Sequence, residues 1–387
     1  MTQRVGVIGG GQLAWMMAAG AERLTLDLVV QTPKPDDPAV SIAPDPVLAA
    51  VADASGTAAL ARRCEVITFE NEFIDLAGLR HLEAQGTRFY PQLDCLAPLL
   101  DKYTQRQYCQ GIGLPSPVFA TLAEKADLAR LAIVVETIGL PLALKTRRHG
   151  YDGQGTFILN TLDEVQDTWA QLSYQPVLLE AFVSFEQELA VMVARGQDGS
   201  VAVYPVVESE QINQVCRRVI APACVTDAVT QQVHALATRL VTALDYVGIL
   251  GIELFLTADQ QVLINEIAPR THNSGHYTLD ACQTSQFEQQ LRAVIGHPLG
   301  ATAMTCPQAV MVNLLGYDTA TTAGNAEYTD KLAALSAIDN AHVYWYGKTA
   351  SRPGRKLGHV TVLTQGQQPP AETIQAVEAC WYPPDFA

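Results

Sequence analysis

The chain predicts an α/β and α+β fold: an N-terminal doubly wound parallel-sheet domain, a central α+β domain and a small C-terminal β-rich domain. Three observations predict it. Strand and helix patterns alternate over the first ninety or so residues, strands then come in groups, and a proline-containing stretch separates the two regimes. The 387 residues exceed one ordinary domain, at about 100–200 residues each. Hydrophobic residues make up 48% and charged ones 17%, without a low-complexity tract or visible repeat, so the chain is globular rather than disordered.

The first domain, residues 1–97, opens with the strand "VGVIG", in which Val5, Val7 and Ile8 read as a buried parallel strand. Gly9, Gly10 and Gly11 then permit a tight turn into a helix from Gln12, whose first N–H groups suit an anion. Gly9, Gly11 and Ala14 satisfy the G-x-G-x-x-A spacing of a dinucleotide site, but that fingerprint wants an acid at the end of the second strand. "LDLVVQTPKPDD" ends instead on Gln31 and Thr32, with Asp36 and Asp37 only after two prolines, which argues against NAD. A phosphate of another ligand, or close helix–strand packing alone, remain the two readings of the glycines. A helix near "GTAALARRC", the strand "EVITFE" and the helix "LAGLRHLEAQG" complete the alternation.

The central domain, residues 98–296, starts with a helix predicted from Pro98 to Gln110. From about Lys125 a helix leads to the strand "PLALKTR", the glycine-rich loop "RRHGYDGQGTF", the strand "TFIL" and another helix. "PVLLEAFV", "FEQELAVMVAR" and "VAVYPVV" read as sheet strands, and the long helix "TDAVTQQVHALATRLVTALD" precedes "GILGIELFLT" and "QVLINEIAPR", joined like a hairpin by "ADQ". The C-terminal domain, residues 297–387, has strands near "AVMVNLLG", "HVYWYG" and "LGHVTVLT", then a terminal helix.

A formal charge of −15 argues against a general nucleic-acid binder but leaves room for a local nucleotide pocket. The start "MTQRVGVIGGG" has no charged region followed by an apolar one, and no apolar stretch is long enough to span a bilayer; the expectation is a soluble, cytoplasmic protein with no membrane partner. The eight cysteines show no C-x-x-C or zinc-like spacing and are expected as free thiols.

Glu253 in "GIELF" and Glu266 in "INEIAPR" lie on consecutive, otherwise apolar strands, where an unpaired carboxylate is costly. If the strands pair, both face one cavity and suit magnesium bound to ATP; edge acids facing water are the alternative. Gly150, Gly153 and Gly155 can fold backbone N–H groups over phosphates, although a glycine-rich hairpin turn looks similar. Lys145, ending the strand just upstream, can reach those phosphates. Glu180 stands where the backbone could meet an adenine edge, and Glu188 at a distance suited to ribose hydroxyls; either could be an ordinary exposed acid.

"GGGQLAWM", "HGYDGQGT", "INEIAPRTHNSGHYT" and "YGKTASRPGRKLGH", in that order, resemble the ATP-grasp superfamily, and closely the PurK-type 5-(carboxyamino)imidazole ribonucleotide synthases of purine biosynthesis. The likeness covers nearly the whole chain and makes the three domains a pre-ATP-grasp, an ATP-grasp and a C-terminal domain. It implies that ATP and magnesium convert bicarbonate to carboxyphosphate, which carboxylates aminoimidazole ribonucleotide, in a homodimer. By the same resemblance Lys102 and Lys145 contact the ATP phosphates, and Gly150, Tyr151, Asp152, Gly153, Gln154, Gly155 and Thr156 form the covering loop. Glu180, Ala181, Phe182 and Val183 hold the adenine, Glu188 the ribose, Glu253 and Glu266 the metal, with Asn265 beside it. The N-terminal turn then meets the sugar-nucleotide substrate: Gly10, Gly11, Gln12 and Leu13 cradle its phosphate, and Lys348 and Arg355 complete that anion site. Glu72, Tyr151, Asp152, Asn273 and His276 are candidates around the imidazole and carboxyl groups, and Arg270 is suited to the charge of phosphoryl transfer. His276 could instead be a structural histidine. After "VYPVV" many relatives carry a histidine near the nucleotide; here Gln211 stands near the aligned position. A formate-dependent glycinamide ribonucleotide transformylase-like ligase and a non-catalytic nucleotide-binding regulator are the alternatives.

Overall fold

The computed structural model describes residues 2–43, 45–148, 155–322, 326–366 and 369–383. Strands β1 (Gln3–Ile8), β2 (Leu26–Thr32), β3 (Val47–Leu48) and β4 (Val66–Phe69) form a parallel sheet in the order β3-β2-β1-β4. The chain winds outward in opposite directions from β1, so the glycine turn after β1 lies where open parallel sheets receive ligands. The helix after that turn is interrupted at Met17 into Gln12–Met16 and Ala18–Arg23.

A second, antiparallel sheet contains β5 (Phe119–Leu122), β6 (Leu142–Thr146), β7 (Thr156–Leu159) and β8 (Val177–Ala181) in the order β5-β8-β6-β7. The helices Leu131–Ile138 and Leu162–Gln171 bury Val135, Ile138, Val165 and Trp169 against Leu142, Leu144, Val177 and Leu179. Before this sheet the sequence expects one helix from Pro98, and the structure begins it at Lys102, as Lys102–Gly111. Asp101 decides the start, because its carboxylate accepts from the amides of Tyr103 and Thr104 at 3.0 and 3.2 Å.

The remaining strands form one nine-stranded antiparallel sheet: β9 (Phe185–Arg195), β10 (Val201–Val203), β11 (Val207–Ile212), β12 (Val215–Ala221), β13 (Gly248–Thr257), β14 (Val262–Ala268), β15 (Gln308–Leu315), β16 (Ala341–Trp345) and β17 (Lys356–Thr364). Their order is β14-β13-β9-β11-β12-β15-β17-β16, with β10 also paired to β9. The stretch "VAVYPVV" is therefore two strands, separated at Tyr204–Val206, where Pro205 lacks the N–H a ladder needs. β11 and β12 form a hairpin whose Asn213 and Gln214 take positive φ of 52° and 63°. The C-terminal strands add to this same sheet through β12 and β15, and the helix Ala326–Ser336, which the sequence reading lacked, packs with the terminal helix Pro370–Trp381.

Two helices cover the site-bearing end of this sheet. Asp227–Ala243 buries Val233, Ala237 and Leu240 against β9 and β14. Gln286–Ile295 buries Phe287, Leu291 and Val294 against Met17, Ala21 and Leu28 of the N-terminal domain. Each such large apolar side chain contributes about 1.5–3 kcal/mol on burial, so the docking of the first domain on the large sheet rests on a substantial core. At Gly20 the packing leaves no room, since a β-carbon there would lie 2.8 Å from Glu288 Cα. The glycine turn after β1 is thereby fixed beside the loops that follow β14.

Candidate active site

β13 and β14 pair so that Glu253 stands directly opposite Glu266. The register then slips, with Leu254 opposite Ile264, which leaves Asn265 as the extra residue of a bulge. In a regular strand Asn265 and Glu266 would point to opposite faces. Here Asn265 Nδ2 donates to Glu253 Oε2 at 3.4 Å, so amide and carboxylates share one side. Glu253 and Glu266 side chains are 21% and 37% exposed. Burial, then the charges of Glu266 and Glu188, push the Glu253 carboxyl up to about 7. Burial acts on Glu266 in the same sense, but the Lys102 ammonium, hydrogen-bonded to it, holds Glu266 below its ordinary value.

The second sheet and the helix Lys102–Gly111 before it supply the cations. Lys145, at the end of β6, donates to Glu180 Oε2 at 2.7 Å and to Asn265 Oδ1 at 3.0 Å. Glu180, at the end of β8, is 2% exposed and is also bonded by Arg106. Burial raises its carboxyl, but Lys145 and Arg106 outweigh that and hold it at about 2. Glu180 therefore presents main chain rather than carboxylate to any neighbour, while Phe182 beyond it is 45% exposed. Glu188 on β9 is raised to about 7 by burial, against the main-chain amide of Gln211 and the charge of Lys145. Lys102, Lys145, Glu180, Glu188, Gln211, Glu253, Asn265 and Glu266 thus converge. Gly155 has φ +81°, and a β-carbon there would lie 2.3 Å from Thr146 Oγ1; Thr156 opens β7 opposite Lys145. Gly150, Tyr151, Asp152, Gly153 and Gln154 lie outside the described residues.

A second group gathers at the glycine turn. Glu70, just beyond β4 and 8% exposed, accepts from the amides of Gly11 and Leu13. A β-carbon on Gly9, at φ +117°, would lie 2.2 Å from its Oε2, and one on Gly11 2.4 Å from its Oε1. Burial pushes the Glu70 carboxyl up to about 7, against Arg270, those amides and Lys348, all of which favour its charged form. The amides of Gly11 and Leu13, expected from the sequence to meet a substrate phosphate, therefore already meet a carboxylate, a neighbour the sequence reading missed. Arg270 Nε pairs with Glu72 Oε1 at 2.8 Å. Lys348 Nζ donates to the Lys356 carbonyl at 2.7 Å, and Arg355 Nη1 to that of Ala350 at 2.7 Å.

Asn273 and His276 line the wall behind these residues. Asn273 and Asn313 exchange amide hydrogen bonds of 2.9 and 2.7 Å. His276 is 1% exposed, its Nδ1 lies 3.1 Å from Gln286 Nε2, and its ring centroid lies 4.9 Å from that of His359. Burial, then the neighbouring His359, hold its pKa well below the usual histidine value. His272 adds a contact of 3.5 Å from Nε2 to Glu253 Oε1. Glu70, Arg106, His272, Asn313 and His359 are the residues sequence reasoning missed; only Arg106, one helical turn after Lys102, had a spacing that could have shown it.

Three family models match the chain. The ribonucleotide synthetase preATP-grasp domain matches residues 1–98, the ATP-grasp domain 107–287, and the phosphoribosylaminoimidazole carboxylase C-terminal domain 309–372. The chain is 54% identical to the N5-carboxyaminoimidazole ribonucleotide synthase of Synechococcus elongatus, over 100% of this chain and 97% of that one. Among solved structures, the carboxyaminoimidazole ribonucleotide synthase of Aspergillus clavatus complexed with ATP superposes with a TM-score of 0.90 at 33% identity, covering 98% of each chain. The Aspergillus clavatus enzyme in complex with ADP and 5-aminoimidazole ribonucleotide gives 0.88 at 32%, again over 98% of each chain.

Proposed function

The chain belongs to the N5-carboxyaminoimidazole ribonucleotide synthase family of ATP-grasp enzymes, and on that premise we propose how its residues divide the reaction. It is a ligase of purine biosynthesis that carboxylates 5-aminoimidazole ribonucleotide to the N5-carboxyamino product with ATP. The observation that carries the proposed division is the convergence of Lys102, Lys145 and Asn265 on the opposed Glu253 and Glu266.

In this reading bicarbonate is the carbon source. One of its oxygens attacks the γ-phosphorus, ADP leaves, and the resulting carboxyphosphate passes its carboxyl group to the exocyclic amine as phosphate departs. Lys102 and Lys145 meet the ATP phosphates, residues 150–156 cover them, and the main chain of Glu180 to Val183 receives the adenine. Glu188, held by the Gln211 amide, takes the ribose. Arg270, oriented by Glu72, faces the charge that develops on the transferring group; Tyr151 and Asp152, outside the described residues, are assigned to the same step.

The paired carboxylates fit magnesium. Glu253 and Glu266 are hard oxygen donors, Glu253 raised by burial and then by the Glu266 charge, and two protein carboxylates leave further positions for phosphate oxygens and water. Glu253 and Glu266 would hold the ion, with Asn265 alongside, and the ion supplies neutralising charge to the phosphates when bound.

The ribonucleotide is placed at Gly10, Gly11, Gln12 and Leu13, with Glu72 near the imidazole and Lys348 and Arg355 on its phosphate. Asn273 and His276, being enclosed, shape this end from behind. The domains run 1–97, 98–296 and 297–387, and the protein works as a homodimer in the cytoplasm. Among the described residues no helix is long and apolar enough to cross a membrane.

The test follows phosphate release with ATP and magnesium, adding bicarbonate and aminoimidazole ribonucleotide singly and together, and measures the carboxyamino product. Product matching phosphate supports the reading. Turnover with formate and glycinamide ribonucleotide instead, or nucleotide binding without turnover, would replace it.

A further inference from the structure

Among the described residues β14 is the outermost strand of the nine-stranded sheet, with β13 on one side and no strand on the other. The open side is covered by the Pro115 carbonyl, which accepts from the Ile264 amide at 2.9 Å, and by side chains of the helix Lys102–Gly111. Gln105 Nε2 donates to the Ile267 carbonyl at 2.9 Å, and Gln105 Oε1 accepts from the Ile267 amide at 2.9 Å. These are the two bonds a neighbouring strand would make with a directly opposed residue. One residue on, Arg106 donates to the Asn265 carbonyl from Nη2 and to Glu180 Oε1 from Nε. A helix thus holds the main chain on both sides of Glu266.

Arg106 is 2% exposed, as is its partner Glu180. Two charges this deep cost several kcal/mol to desolvate unless well paired, so the pair is weak evidence of a stability role alone. Its placement is informative. Lys145 Nζ contacts Glu180 Oε2 at 2.7 Å and Asn265 Oδ1 at 3.0 Å, and Arg106 grips both of those residues. The planar guanidinium can do this because its Nε and Nη2 point in different directions; an ammonium offers a single point of charge.

We propose that Arg106, assisted by Gln105, is a positioning residue for the nucleotide, setting Lys145 by fixing Glu180 and Asn265 across the junction between the second sheet and the large sheet. The inference rests on Lys145 being a nucleotide contact. Without Arg106, Glu180 has Lys145 as its remaining cation and draws the ammonium toward itself, while the Asn265 bulge loses its outer tie. Arg106 then acts on the nucleotide without touching it, and leaves the ribonucleotide end unaffected.

Calorimetric titration of ADP into the full-length protein tests this with wild type, Arg106→Lys, Lys145→Met and the double variant, alongside thermal melting and the two Michaelis constants. Arg106→Lys is expected to weaken ADP about tenfold, the effect of losing one charge-assisted hydrogen bond, and to raise the Michaelis constant for ATP while that for aminoimidazole ribonucleotide stays within about twofold. In the Lys145→Met background the same change should add less than about twofold, because the effect runs through Lys145. Gln105→Met, which removes the Ile267 bonds at similar volume, should weaken ADP in the same direction and decides the matter should Arg106→Lys fail to fold. Failure of wild type to bind ADP would remove the nucleotide assignment itself. Wild-type binding of ADP with unchanged affinity in the folded variants, or effects that multiply in the double variant, would overturn this inference alone.

Discussion

Replacing Glu70 by glutamine should change how stability depends on pH. Burial pushes this carboxyl from 4.5 up to about 7, against Arg270, the amides of Leu13 and Gly11, and Lys348. A carboxyl whose folded pKa exceeds its unfolded one holds its proton more tightly in the folded chain. Stability is therefore lost as pH rises from about 4.5 to about 7, and the loss is complete above that window. At about 1.4 kcal/mol per unit the full effect is about 3 kcal/mol, of which about 1.3 kcal/mol falls between roughly pH 6 and pH 8. Glutamine does not titrate and fits the Gly11 and Leu13 amides less well, an offset that is the same at both pH values. The stability of Glu70→Gln relative to wild type should accordingly rise by about 1.3 kcal/mol from pH 6 to pH 8, measured by reversible urea unfolding of the ligand-free protein with a common m-value. A difference that stays flat, or falls with pH, would refute the burial argument.

Glu266→Gln should lower turnover by about 10²–10³-fold with little change in melting temperature, and near-wild-type turnover at saturating magnesium would contradict the metal assignment. Lys348→Ala should raise the Michaelis constant for the ribonucleotide about tenfold or more while that for ATP stays within about twofold; a selective ATP defect would reverse the two anion sites. Gly10→Ala places a β-carbon 2.6 Å from Thr32 Cβ, and this overpacking should cost about 1–3 kcal/mol, read as a lowered melting temperature.

Much of this architecture was legible because it is local. The alternation that gives β1 to β4, the apolar runs of β13 and β14 and the acids placed within them all follow from short-range pattern. Glu253 facing Glu266 required only that the hairpin form. The bulge at Asn265 was not legible, because one extra residue leaves no mark on hydrophobic periodicity. Glu70 reads as just another strand-end acid until the turn after β1 folds onto it, about sixty residues away in sequence. Arg106 likewise acquires its meaning from Glu180 and Asn265, far along the chain. The Glu180 side chain, for which the sequence left an ordinary exposed acid as one reading, is instead enclosed by two cations.

The pairing of β12 with β15 constrains the order in which this protein can be made. Arg218 to Ala221 lie beside Ala309 to Val312, and β15 is closed on its other flank by β17, residues Lys356–Thr364. A nascent chain that has emerged through residue 300 has every strand of the nucleotide region except the one that shields β12. Until β15 has emerged, β12 presents bare main-chain donors and acceptors on that edge to any other unfolded chain nearby. The large sheet is therefore completed only by strands near the end of the sequence, and the pairing of β15 with β12 spans about ninety residues, a separation that slows it.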